Sequence, residues 1–239
     1  MIVVMPIGGL GKRFKAAGYT FPKPLITIRN KPMLQWAVES LGMPWAHHIF
    51  VCSREDVEAY PIREMCAQMT PHQEVVVEEE RKGAAPAILL GLAQARTSED
   101  LIIANSDQWL GWDVDQFLRQ TWSAHADGSI PVFPSVHPKW SYAKIYGPTQ
   151  RVTEVAEKRP ISPWATCGIY YWKTAQMFID AAHSMMLDDT KRINGEWYVA
   201  PVYNECINQG GHVMAYKEVE MWGMGTPEDL EEFKLKVCR

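Results

Sequence analysis

Through the first half of the chain, short apolar runs alternate with amphipathic stretches, and few folds accommodate that rhythm. Ile2–Ile7, His48–Cys52, Glu74–Glu78, Leu101–Ala104 and Ile130–Phe133 read as strands, and Met33–Leu41, Arg54–Met69, Ala84–Ala95 and Asp113–His125 as helices. A strand that is apolar on both faces needs cover on both faces. Helices inserted between such strands supply it, so the pattern predicts an α/β fold around a mostly parallel sheet.

The second half breaks the rhythm. "AKIYG", "RVTEVAEK" and "ATCGIYYW" are β-rich pieces joined by Pro and Gly turns. Helices are expected at Thr174–Leu187 and Trp197–Asn208, a strand at Val213–Tyr216, and a last helix from Pro227. Proline suits the first helical position there, and Glu228 and Asp229 complement the helix dipole. The 239 residues contain no internal repeat, low-complexity tract or evident linker. They read as one domain, 1–239, with an α/β lobe over 1–135 and a β-rich lobe over 136–239.

A net charge of -4 argues against a nucleic acid partner and restricts any phosphate-binding surface to a local basic cluster. The five cysteines form no C-x-x-C pair, so buried reduced thiols are expected, with Cys52 and Cys167 on strands. No apolar stretch is long enough to cross a bilayer, and a cytoplasmic location is the expectation. A homo-oligomer is compatible with the sequence.

Directly behind the first strand comes "GGLGKRFKAAGYTFPKPL". Glycines at a strand end let the backbone approach a ligand closely and present amide N–H groups to an anion. The spacing is neither G-x-G-x-x-G nor a Walker A motif. Arg13 and Lys23 lie ten residues apart, and Pro22 and Pro24 flank the lysine, so a stiff extended segment is expected to hold it. A forked guanidinium and a compact ammonium beside such a turn suit a triphosphate. Lys15, Arg29 and Lys31 read as solvated.

"GGLGKRF…FPKPLITIRNKPML" resembles the signature of the nucleotidyltransferases that activate sugar 1-phosphates, G-G-x-G-x-R followed by P-K-P-L and K-P-M. The resemblance implies a Rossmann-like, GT-A-like three-layer sandwich with a mixed, mostly parallel central sheet. It further implies an NTP and a phosphorylated small-molecule acceptor, with Mg2+ as cofactor. On that likeness Arg13 and Lys23 are catalytic, and Gly8, Gly9, Leu10, Gly11, Lys12 and Ser106 meet the nucleotide. "RKGAAPAILLGLAQA" is similar to the family's loop over the base, which adds Lys82, Gly83 and Ala84.

"LIIANSDQW" puts Asp107 just beyond a strand's carboxyl end, where open α/β sheets bind ligands, and it looks like the family's metal-binding aspartate. "VTEVAEKRP" resembles an E-K-P element, which implies Glu157 and Lys158 on the acceptor. Gly168, Glu196, Tyr198 and Asn204 join them, and Trp140 and Trp164 are candidate pocket walls. "MWGMGTPEDLEEF" resembles the closing W-x-D-x-G-T-P motif, but Gly223 stands where the motif carries a second metal-binding aspartate. Glu220 is the expected substitute, with a substrate oxygen or water as alternatives.

The implied reaction is attack of an acceptor phosphate oxygen on the NTP α-phosphorus with departure of pyrophosphate. Two rivals stay open: a GT-A-type glycosyltransferase that uses an NDP-sugar, and a regulatory homologue that binds nucleotide without turnover.

Overall fold

The computed structural model describes residues 1–238. In chain order the strands are β1 (Ile2–Pro6), β2 (Thr27–Ile28), β3 (Lys31–Pro32), β4 (His47–Ser53), β5 (Gln73–Glu78), β6 (Leu101–Ala104), β7 (Gln108–Trp112), β8 (Gly128–Pro134), β9 (Tyr142–Ile145), β10 (Val152–Ala156), β11 (Trp164–Thr166), β12 (Ile169–Trp172), β13 (Val213–Tyr216) and β14 (Val219–Gly223). The α-helices are α1 (Lys12–Ala16), α2 (Met33–Leu41), α3 (Arg54–Ala59), α4 (Ile62–Met69), α5 (Ala84–Gly91), α6 (Val114–Ser123), α7 (Ala175–Met186), α8 (Tyr203–Asn208) and α9 (Pro227–Lys236).

Ten strands make one mixed sheet in the order β10-β9-β11-β8-β12-β6-β1-β4-β5, with β13 added beside β8. Strands β6, β1, β4 and β5 pair in parallel, and β13 pairs in parallel with β8. Strand β12 runs antiparallel to both β6 and β8 and so joins the parallel block to the β-rich end. Alternate residues of β1 feed opposite layers. Val3 and Met5 enter a core with α2, α4, α6 and α9, while Ile2 and Val4 enter one with α5, α7 and α8. The period-2 geometry of a strand thus builds two cores from one apolar run. The three-layer α/β architecture expected from the sequence is the one formed.

Several details differ from expectation. The helix predicted over 54–69 is two helices, because Pro61 removes a backbone donor and Tyr60 before it is extended at φ -136°. Residues 197–199 are not helical. A short 3-10 turn over Ala200–Val202 precedes α8 instead. Strands β7 and β14 form an unforeseen two-stranded antiparallel ribbon outside the main sheet. Lys23 is not in an extended segment but opens a 3-10 turn, Lys23–Leu25, after an extended Pro22. The five cysteines are buried thiols, and burial pushes Cys52 and Cys66 up to about 12, where they are inert at neutral pH.

Candidate active site

Strands β1, β4, β5 and β6 all point the same way, and their carboxyl ends deliver Gly8, Ser53, Glu78 and Asp107 to one edge of the sheet. A cavity of about 510 Å³ opens there. Its walls include the glycine turn from Gly8 to Gly11, Lys12, Arg13, Lys23, Gly83, Ala84, Ser106, Asp107, Glu157, Gly168, Glu196 and Tyr198.

The glycines have separate steric reasons. A Cβ on Gly8 would stand 2.6 Å from a Glu78 carboxylate oxygen and 3.0 Å from the Ser53 amide nitrogen. Gly11 is left-handed at φ +58° and lies against Lys23, whose Cβ would be 3.4 Å from a Cβ built there. The left-handed backbone, which glycine adopts without strain, is what favours glycine at position 11. Arg81 fastens the turn from outside, with Nε donating to the Gly8 carbonyl at 2.7 Å and Nη2 to Ser53 Oγ at 2.8 Å.

Lys23 Nζ donates to Asp107 Oδ2 at 2.8 Å. Asp107 also accepts the Met224 amide on its backbone oxygen at 2.7 Å, which ties the end of the β7–β14 ribbon to the cavity. Also on the lining, Lys139 Nζ pairs with Asp229 Oδ1 at 2.5 Å. Lys12, Arg13, Lys23 and Lys139 on one lining, beside a glycine turn, are the groups that suit a polyphosphate.

Hydroxyls and a further carboxylate also line the cavity. Ser141 donates to Glu157, and Thr166 Oγ1 lies 3.0 Å from Tyr170 Oη. Burial holds the Glu157 carboxyl above its usual range, against the Ser141 hydrogen bond and the Lys158 ammonium, which both lower it. Gly168 has φ +72° and leaves room for Gln108 and Asn105, whose side chains come within 2.5 Å of a Cβ built there.

Some expected residues stand elsewhere. Lys82 is turned to solvent in an ion pair with Glu80 at 2.9 Å and does not line the cavity, whereas its neighbour Arg81 does. Lys158 is not on the wall; its Nζ donates to Tyr198 Oη at 2.6 Å and lies over that ring, so it meets the cavity through Tyr198. Asn204 is a structural staple, donating to and accepting from the Val155 backbone at 2.8 Å each. Trp140 lines the cavity and Trp164 does not.

Glu220 is also displaced. It pairs in register with Gly111, accepts from the Trp222 indole at 2.7 Å, and is absent from the cavity wall. Its position is three register steps from Gly223, roughly 10 Å along the strand, too far for a side chain to stand in for residue 223. The carboxylate beside position 223 is Asp229, whose Oδ2 is 3.8 Å from a Cβ built on Gly223. Sequence reasoning missed Glu78, Arg81, Lys139 and Asp229 as cavity residues: Arg81 and Asp229 lie inside motif stretches that point to their neighbours, and Glu78 and Lys139 belong to no motif and are brought there by the topology.

The fold class is that of the Rossmann-like nucleotidyltransferases. The chain belongs to the nucleotidyl transferase family, whose model matches residues 2–239. It is similar to the mannose-1-phosphate guanylyltransferase catalytic subunit beta of Danio rerio, 26% identical over 184 residues that cover 74% of this chain and 51% of that protein. The chain spans about half the length of the curated relatives it matches. Among solved structures it resembles the nucleoside-diphosphate-sugar pyrophosphorylase of Vibrio cholerae RC9, with a TM-score of 0.83 and 25% identity over 99% of this chain and 100% of that one. It shares its fold with a UDP-glucose pyrophosphorylase solved with UDP-glucose, with a TM-score of 0.77 and 18% identity over 97% and 96% of the two chains.

Proposed function

We propose that the protein is a magnesium-dependent nucleotidyltransferase that joins an NTP to a phosphorylated small molecule, a sugar 1-phosphate above all, releasing pyrophosphate. One observation carries this reading: Arg13, Lys23 and the glycine turn line a single cavity that Glu157, Gly168, Glu196 and Tyr198 also line. The family membership and the relatives named as guanylyltransferases and pyrophosphorylases support it.

In this reading the amides of Gly8 to Gly11, with Lys12 and Arg13, hold the β- and γ-phosphates. Lys23 lies between the α-phosphate and the incoming phosphate. A non-bridging oxygen of the acceptor phosphate forms the new bond to the α-phosphorus. The bond from that phosphorus to the bridging oxygen breaks, and its electron pair leaves with pyrophosphate. The nucleophile is already anionic, so no general base is required, and the chain's task is positioning and charge neutralisation. Glu157 accepts from acceptor hydroxyls, while Lys158 acts through the Tyr198 hydroxyl it holds.

Asp107 fits a magnesium site, because its carboxylate already draws a cation to 2.8 Å and lies on the cavity wall. Magnesium uses one or two carboxylates together with substrate phosphate oxygens. Among the described residues no cluster of three or more His, Cys, Asp or Glu side chains forms a self-sufficient cage. Asp107 would hold the ion, which would supply charge neutralisation at the phosphates. Lys23 is then free of Asp107 and available to the substrate.

The test is a matrix of NTPs against phosphorylated acceptors, scored by pyrophosphate release with and without magnesium. Release that needs both substrates and the metal is the expected result. NDP-sugar consumption without pyrophosphate exchange would replace this reading with the glycosyltransferase one, and NTP binding without release would favour the regulatory one.

A further inference from the structure

Glu78 ends β5 on the cavity wall and is only 7% exposed. Among the described residues no hydrogen bond or ion pair reaches its carboxylate. The nearest cation is Arg81, but that guanidinium is committed to the Gly8 carbonyl, Ser53 Oγ, and the carboxylates of Glu55 and Asp56 at 3.5 and 3.6 Å. The carboxylate thus opens to the cavity without a protein donor, and burial holds it above its usual range, against Arg81, which lowers it. Gly8 lies against its carboxylate, and the small residues Gly83, Ala84 and Ala87 line the same cavity. Such walls admit a flat ring edge-on to the carboxylate.

We propose that Glu78 reads the nucleobase and that the base is guanine, whose N1–H and N2 amino group would both donate to the carboxylate. The proposal rests on the nucleotidyltransferase reading and adds its nucleotide. Guanine alone among the common bases presents two adjacent donors on one edge. Uracil and thymine offer one N3–H between two carbonyl oxygens. Cytosine and adenine set their amino group beside a ring nitrogen whose lone pair would face the second carboxylate oxygen. A site whose buried acceptor goes unpaired with the wrong base discriminates strongly.

The experiment measures equilibrium binding of GTP, ITP, CTP, UTP, dTTP and ATP to the full chain by calorimetry, for wild type and Glu78→Gln. GTP is expected to bind roughly 10- to 100-fold tighter than CTP or UTP, the worth of one charge-assisted hydrogen bond. ITP, which keeps N1–H and lacks the amino group, should fall between. Glu78→Gln offers one donor and one acceptor, so GTP should weaken by about tenfold or more while UTP gains or holds. A wild-type preference for CTP or UTP, ITP equal to GTP, or an unchanged GTP:UTP ratio in the variant overturns the base assignment and leaves the general reading standing. Failure of every nucleotide to bind overturns both. The wild-type ranking decides the matter even if the variant does not fold.

Discussion

Lys23 and Asp107, which lie 84 residues apart in sequence, meet in a 2.8 Å ion pair on the cavity wall, each side chain about one-fifth exposed. Each is the charge that the other's proposed ligand would replace: phosphate for the carboxylate, a divalent cation for the ammonium. The pair therefore holds two cavity groups in place until substrate separates them.

Lys23→Ala is expected to lower turnover on the order of 10²–10³-fold, the usual loss when one preorganised positive donor is removed from a reacting phosphate or oxyanion. Because the pair is partly solvated, its loss should change stability by about 1 kcal/mol at most. Near-normal turnover in the variant, at an unchanged melting temperature, would remove Lys23 from the machinery. Asp107→Asn should abolish the magnesium dependence of the rate, read from a metal titration.

Gly83→Ala should destabilise the fold by about 2 kcal/mol or more, as expected for a strained φ combined with a clash against backbone. Its φ is +109°, and the new Cβ would stand 2.8 Å from the Trp197 nitrogen and 2.9 Å from its oxygen. Gly9→Ala is the control, since nothing lies within 4 Å of its Cβ. It should stay within about 0.5 kcal/mol of wild type. Urea denaturation of both separates the two cases, and equal midpoints would refute the account.

What the sequence disclosed follows from how each residue reaches the site. The strands were legible because apolar runs between turn signals have few other uses, and α2 and β6 fall at the residues the pattern predicts. Gly11, Arg13, Lys23 and Asp107 were legible because they sit in local motifs at strand ends. Glu78 was not, since it becomes a cavity residue only when β5 is placed beside β4 and β1. Asp229 read as a dipole-complementing helix residue, and its amide does bond Thr226 Oγ1 at 3.2 Å, but its carboxylate faces Lys139 instead. Ile193–Glu196 hid a tight turn just ahead of the helix expected from Trp197. Asn194 and Gly195 both have positive φ there, the conformation Asn-Gly favours, and the turn sets Glu196 on the cavity wall.

The acceptor end makes stability pH-dependent in a definite direction. The Glu157 carboxyl is held above its ordinary value of 4.5 chiefly by burial. The native state then keeps a proton that the unfolded chain has lost, so stability present below the unfolded value falls as pH rises toward the folded one. Glu157→Gln retains an acceptor for Ser141 but cannot ionise. Melting temperatures from pH 4 to 8 should show wild type losing ground to the variant across that window and then running parallel to it. A wild type that gains on the variant with rising pH would reverse the assigned shift.

Position 223 tests how this chain fills the place where the family motif has an aspartate. A Cβ on Gly223 would meet the Trp140 ring at 2.8 Å, and that ring is in turn packed edge-on against Phe133 at 5.5 Å. Gly223→Asp should therefore cost about 1–3 kcal/mol by overpacking. The new carboxylate would also crowd Asp229, whose oxygen is already 3.8 Å from the site and whose charge is offset by Lys139. Trp140→Ala removes the ring, so Gly223→Asp should cost less in that background, and a coupling of about 1 kcal/mol or more between the two substitutions is expected. Thermal or chemical denaturation of the four proteins measures it. Strict additivity would mean that the indole moves aside freely and that the glycine is not required by the ring.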